Sequence, residues 1–125
     1  DGGVADSVPI RHALKSGKTK IVVVLTRNPG YRKKPVSTGT AKLYRKAYKS
    51  YPKMAACAVH RNRMYNRTME LVEKLEAEGR IYVIRPMVPT VSRLERDYDK
   101  LMSFYEHGYA LMKKEYANLL RYMEE

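Results

Sequence analysis

The chain has 125 residues, a formal net charge of +12 and a single cysteine. Its length is that of one domain, and the lone Cys57 excludes an internal disulfide. No apolar run approaches the ~18 residues needed to span a bilayer, so the sequence predicts no transmembrane segment.

Positive charge is concentrated in the first half of the chain. Residues 1–63 hold 15 lysines and arginines against 2 acidic residues, whereas residues 64–125 hold 10 against 11. The excess is densest at Arg32-Lys33-Lys34. Such a field attracts anionic lipid headgroups, nucleic acid or an acidic partner. It is equally typical of a solvated basic face.

The first elements in chain order are a loop, a short helix and a strand. Residues 1–8 are predicted as a loop, and residues 10–16 as a short helix that follows Pro9. Residues 20–27 form a predicted strand. Its IVVVL core lacks alternation, as expected for a parallel strand that is covered on both faces. Asn28-Pro29-Gly30 ends this strand.

Helices dominate the middle of the chain. Thr40 can cap a helix that runs to about Ser50, after a basic loop over residues 31–39. A long helix is predicted over residues 53–78, with Gly79 as its C-cap. Its apolar stripe consists of Ala58, Tyr65, Met69, Val72 and Leu75.

A second strand and a final helical region complete the chain. Residues 80–85 form the strand, and a helix runs from Asp97 or Asp99 to about Met123, with an interruption allowed at Gly108. This order predicts an α/β fold with parallel strands and crossover helices. A strand such as IVVVL needs neighbours on both edges. We therefore expect the rest of the sheet to come from elsewhere, or the exposed edge to pair with another copy of the chain.

The opening Asp1-Gly2-Gly3 carries the most chemistry. Glycines after an aspartate allow positive φ, so that a carboxylate on such a turn can face a reaction centre, although Asp-Gly is also a common plain turn. The run that begins DGGVADSVPI and includes IVVVLTR resembles the bacterial patatin-like phospholipases from their catalytic aspartate onward. The later run YVIRPMVPTVSRLERDYDKLMSFYEHGYALMKK is similar to their C-terminal part, so the resemblance covers nearly the whole chain.

The resemblance implies both a fold and an activity. Residues 1–86 would be the C-terminal part of a three-layer catalytic domain, and residues 87–125 a helical extension packed on it. The family hydrolyses lipid esters with a Ser–Asp dyad and no cofactor, which would make Asp1 the base and Gly2 and Gly3 its active-site turn. We expect a lipid or phospholipid substrate and a cytoplasmic protein, peripheral at the membrane.

The nucleophile of such a dyad is missing from the sequence. No serine here stands in a G-x-S-x-G motif, which lies upstream of the aspartate in the family. The chain alone is therefore expected to be inactive. A Ser-His-Asp triad that uses His12, His60 or His107 is not favoured, because none has a nucleophile motif beside it.

A second hypothesis is a basic binding module. Lysines, arginines and tyrosines alternate between Tyr31 and Tyr51, a composition that can bind an anionic membrane surface or stack on nucleic-acid bases. Nucleic acid is the less favoured partner, because no RNA-recognition, zinc-finger or helix-turn-helix signature is present. No metal-ligand motif occurs either.

Overall fold

A computed structural model describes residues 2–124. These residues form five helices and two strands: α1 (Gly2–Ala5), α2 (Ile10–Lys15), β1 (Val22–Val24), α3 (Thr38–Ala47), α4 (Pro52–Ala77), β2 (Tyr82–Ile84) and α5 (Tyr98–Glu124). The mixture of helices with a parallel sheet confirms the α/β class. The described residues do not by themselves form a three-layer arrangement.

The chain divides into two compact units that interleave along the sequence. Unit 1 comprises the residues up to Lys18 together with Arg32–Leu75, and unit 2 comprises Thr19–Tyr31 together with the residues from Glu76 onward. The predicted division into residues 1–86 and 87–125 stays a prediction.

The loop predicted over residues 1–8 is wrong in part, because α1 forms one helical turn within it. The Asp6 N–H donates to the carbonyl oxygen of Gly2 at 2.9 Å, and Ser7 Oγ donates to that of Gly3 at 3.0 Å. These local bonds satisfy backbone groups that a loop would leave to water. Positive φ occurs instead at Gly17, Gly30 and Gly79, which follow α2, β1 and α4.

The core of unit 1 is the buried stripe of α4. All five residues of the predicted stripe are buried, and Val72 and Leu75 are the least exposed among them. The predicted helix over residues 53–78 is thereby confirmed, and Gly79 follows it with φ of 68°. Ile10 of α2 and Ala41 of α3 are also buried.

The basic segment Arg32-Lys33-Lys34 is fastened to α4 within unit 1. Arg32 forms a bidentate ion pair with Glu73: Nη1 donates to Oε1 at 2.9 Å and Nη2 donates to Oε2 at 2.7 Å. The side chain of Asn66 accepts from the Lys33 N–H at 2.8 Å and donates to the Lys33 carbonyl at 2.9 Å. Asn62 donates to the carbonyl of Lys34 at 2.8 Å. The densest positive run is therefore ordered by the helix, and part of its charge is neutralised.

Unit 2 contains the sheet. β1 and β2 pair in parallel, with Val22 opposite Tyr82 and Val24 opposite Ile84, as predicted. Both strands are shorter than predicted, because pairing of the two is confined to three residues each. Backbone bonds at either end, Tyr82 N–H to Ile21 O at 3.0 Å and Leu25 N–H to Ile84 O at 2.8 Å, extend the ladder.

The last helix, α5, runs through Gly108 without the interruption that the sequence allowed. It packs against β2, where the rings of Tyr82 and Tyr122 are 5.6 Å apart. Tyr122 Oη also accepts from the N–H of Ile21, just before β1, at 3.1 Å. None of the described helices is both long enough and apolar enough to cross a bilayer.

Candidate functional site

The predicted catalytic residue, Asp1, lies outside the described residues. Its two glycine neighbours, Gly2 and Gly3, belong to α1. Gly3 is also part of the wall of a pocket in unit 1. The residues that follow Asp1 therefore define the candidate site in this part of the chain.

This N-terminal pocket has a volume of about 80 Å³. The stretch from α1 to α2 supplies one wall, and the middle of α4, between residues 61 and 68, supplies the other. Its polar lining residues are Asp6, Ser7, Arg11, Arg61, Tyr65 and Thr68. A cavity needs roughly 10–15 Å³ of open space to hold one water molecule, so the pocket has room for a group of several heavy atoms.

Arg61 occupies an unusual place in the pocket wall. It stands three residues after Ala58 and four before Tyr65, which places it on the buried stripe of α4. Its Nε–H is buried and has no hydrogen-bond acceptor among the described residues. A charged side chain at a stripe position is costly unless an anion or acceptor compensates it.

Thr68 and Arg11 add to the polarity of the same pocket. Thr68 is the buried polar residue of the stripe, one turn further along than Tyr65. Arg11 projects from α2, and neither arginine forms an ion pair with a carboxylate in the described part of the chain. Asp6 lies in the lining, with its Oδ1 accepting the Val8 N–H at 3.3 Å.

Sequence reasoning missed Arg61, although a signal was present. The predicted stripe steps by seven residues from Ala58 to Tyr65, and then by four, three and three. Filling that gap at the helical spacings of three and four leads to Arg61 or Asn62, both of them polar. A cation where the period requires an apolar residue is the signal that would have identified the pocket.

The second polar cluster lies at the carboxyl ends of the two strands in unit 2. Asn28 Nδ2 donates to the carbonyl of Pro86 at 3.0 Å and to that of Val88 at 2.8 Å. Arg27 Nη1 donates to Thr90 Oγ1 at 3.0 Å. Asn28 and Pro86 therefore lie on one side of the sheet.

An apolar groove of about 310 Å³ adjoins these carboxyl ends. It is lined by Val24, Leu25, Ile84, Phe104, Leu111 and Met112, among other residues. His107 also lines it, and its Nε2 accepts the Met87 N–H at 3.1 Å. The imidazole thus orders the chain after β2 and is engaged in a structural bond.

A tyrosine–carboxylate pair joins β2 to α5. Tyr82 Oη donates to Glu115 Oε2 at 2.5 Å. Burial, and then the bond to Glu115, raise the pKa of Tyr82 to about 12. The same bond is the main cause that lowers the pKa of the Glu115 carboxyl. Both shifts favour the neutral phenol beside the ionised carboxylate, which is a structural pair at neutral pH.

Metal binding has no support within residues 2–124. No group of three or more His, Cys, Asp or Glu side chains in this range could hold a metal ion. Cys57 is exposed and free.

Comparison with known proteins places the chain in a family. No curated protein and no solved structure matches it. One family model matches residues 51–124, which cover α4, β2 and α5. The chain therefore belongs to the family described as "Domain of unknown function (DUF6363)".

Proposed function

We propose that the chain is the C-terminal part of a patatin-like lipid acyl hydrolase. The observation that carries the proposal is the run DGGVADSVPI, followed by the IVVVLTR strand, which resembles that family from its catalytic aspartate onward. The three-layer fold of the whole enzyme and a serine nucleophile upstream of Asp1 are parts of the same proposal.

In this reaction Asp1 acts as the general base. Its carboxylate accepts the proton of the serine hydroxyl as the oxygen attacks the ester carbonyl. An acyl-serine forms, the alcohol leaves with a proton, and water then releases the fatty acid by the same route. A carboxylate is a weak base unless a partly dry site raises its pKa.

Two features of unit 2 support a lipid substrate. The strands are parallel, and active sites of open α/β sheets lie outside the carboxyl ends of their strands. The apolar groove of about 310 Å³ lies at those ends. Its hydrophobic lining suits a hydrocarbon chain.

The test is Asp1→Asn in a longer protein that includes the residues before Asp1. We expect ester hydrolysis to fall by about 10²–10⁴-fold, the usual contribution of general-base catalysis, while the fold remains intact. Asp6→Asn is the matched control, since it changes the same group five residues away. The 125-residue chain, which lacks the motif of the nucleophile, should show no turnover. An Asp1→Asn enzyme with more than a tenth of the original rate would overturn the assignment.

A second candidate function is binding to an anionic membrane surface. Lys42, Arg45 and Lys46 lie on one stripe of α3, and Lys49 follows just after the helix. All four are exposed and have no ion pair among the described carboxylates. Arg45 and Lys49 also line a groove of about 340 Å³ with Tyr48 and His60. Such a stripe attracts anionic headgroups.

A further inference from the structure

We propose that the N-terminal pocket of unit 1 binds a phosphate group between Arg11 and Arg61. The site does not depend on the hydrolase activity proposed above. It is supported by three observations. Two arginines of the lining have no ion pair with a described carboxylate, the Nε–H of Arg61 is buried without an acceptor among the described residues, and the pocket has the size of a small anion.

The first property is positive charge without a partner. Arg11 and Arg61 both line the pocket, and neither forms an ion pair with a described carboxylate. Elsewhere arginines of this chain do find carboxylates, as Arg32 does with Glu73 at 2.7 Å. Asp6 supplies one negative charge to the lining, so the two guanidinium groups leave an excess of one positive charge among the described lining residues.

The second property is the buried Nε–H of Arg61, which has no acceptor among the described residues. A buried donor without a partner costs about 1–3 kcal/mol, and more when it belongs to a charged group. Arg61 lines the pocket, and a planar guanidinium can pair with two oxygens of one anion at once. Arg61 is held at this point by its place on the α4 stripe between Ala58 and Tyr65.

The third property is the fit of the pocket to a tetrahedral oxyanion. Its volume of about 80 Å³ corresponds to several waters, which suits a group of five heavy atoms. Thr68 supplies a hydroxyl group in the lining for a remaining oxygen, whereas the Ser7 hydroxyl already donates to the Gly3 carbonyl. Phosphate and phosphate esters have the required shape, charge and acceptors.

The test compares Arg61→Gln and Arg11→Gln with Arg63→Gln in the 125-residue chain. Arg63 lies on the same helix, is exposed and does not line the pocket. All three variants therefore lose the same charge. Titration with inorganic phosphate and with glycerol 3-phosphate at constant ionic strength is followed by calorimetry and by the ¹H–¹⁵N signal of the Arg61 Nε–H. We expect affinity to fall about 10- to 100-fold in the two pocket variants, the value of a charge-assisted bond, and to be unchanged in Arg63→Gln.

Arg61→Met keeps the test decisive if Arg61→Gln folds poorly. A buried charge can often be replaced by an apolar side chain without loss of stability, so this variant should unfold at or above the temperature of the original chain and still lose phosphate. If Arg61 were only structural, Arg61→Met would be destabilised and the original chain would not bind phosphate.

Vesicles of phosphatidylglycerol distinguish the source of the phosphate group. Binding of the soluble phosphates identifies a site for free phosphate or its small esters. Binding of vesicles alone, weakened by Arg61→Gln but not by Arg63→Gln, identifies a lipid headgroup. Binding of neither, or equal losses in Arg61→Gln and Arg63→Gln, would overturn the proposal, since equal losses indicate attraction to net charge.

Discussion

At the scale of single residues, one charged side chain stands where the helical period leads to buried residues. Arg61 stands on a stripe whose other members are apolar apart from Thr68. The pair of Tyr82 and Glu115 differs from this, because there a neutral donor satisfies a half-buried carboxylate. The Arg61 Nε–H has no acceptor among the described residues, whereas the Tyr82–Glu115 pair is complete in itself.

The Tyr82–Glu115 pair gives folding a defined dependence on pH. The pKa of Tyr82 is raised from its ordinary value of 10 to about 12, so the protonated phenol stabilises the fold fully below pH ~10. This stabilisation is lost as the pH rises towards 12. The pKa of Glu115 is lowered. Its contribution is therefore present above the ordinary glutamate pKa of ~4.3 and is lost as the pH falls through the lower folded-state value.

Tyr82→Phe should remove both effects. We expect the variant to be less stable than the original chain at neutral pH, and the difference to shrink between pH 10 and 12. Denaturant unfolding followed by circular dichroism across this range measures it. Tyr105→Phe, which changes an exposed tyrosine of α5, the helix that carries Glu115, should leave the profile unchanged. A constant difference between Tyr82→Phe and the original chain up to pH 12 would contradict the assignment.

At the scale of elements, the long-range pattern of α4 could be predicted from the sequence and the local detail could not. The period of the stripe and the stop at Gly79 predict the helix to within one residue at either end, since α4 is Pro52–Ala77. The two strands were predicted as a parallel pair, because strand order and connection length leave few alternatives.

The details that could not be predicted depend on individual side-chain contacts rather than on the spacing of apolar residues along the sequence. The N-cap of α3 is Ser37, whose Oγ accepts the Thr40 N–H at 3.1 Å, and the predicted cap at Thr40 is wrong. Both residue types are good caps, so the sequence does not decide between them. The bonds of Asn66 to Lys33 span 33 residues, and no local pattern reveals them. The short α1 was missed because four residues are too few to show a helical period.

The basic stripe of α3 should bind anionic vesicles. Replacing Lys42, Arg45, Lys46 and Lys49 by glutamine should weaken binding to phosphatidylserine vesicles, by up to about 1 kcal/mol for each residue near the surface. Added salt should reduce the difference, since the charges are screened over roughly 8 Å at physiological ionic strength. Sedimentation with vesicles at several salt concentrations measures both.

The control for α3 removes the same charge from α5, by replacing Lys100, Lys113, Lys114 and Arg121 with glutamine. These residues are also exposed. If both quadruple variants lose binding equally, net charge rather than the α3 stripe attracts the membrane. Equal binding of the original chain to neutral and anionic vesicles would exclude the electrostatic attraction altogether.

At the scale of the whole molecule, the sheet is small for the strands that compose it. β1 has one paired edge, and the described residues provide no strand for the other. Its side chains are also partly uncovered, since Val22 and Val24 are 38% and 70% exposed. Exposed apolar strand edges are ready sites for pairing with another chain. In the proposed parent enzyme, that edge would be covered by the remainder of the sheet.

The chain on its own should therefore associate with a second copy through β1. In sedimentation velocity, we expect the mean mass of the original chain to rise with concentration. Natural proteins block pairing at open strand edges with lysine, so Val24→Lys should abolish this rise. Because Val24 is exposed, this change should cost folding less than about 1 kcal/mol. Leu43→Lys is the matched control, since Leu43 is 62% exposed on α3 and gains the same charge. It should associate as the original chain does. If the original chain remains monomeric at high concentration, the β1 edge is not a contact between copies. If Leu43→Lys also becomes monomeric, net charge or another surface accounts for the association, and the β1 edge is again excluded.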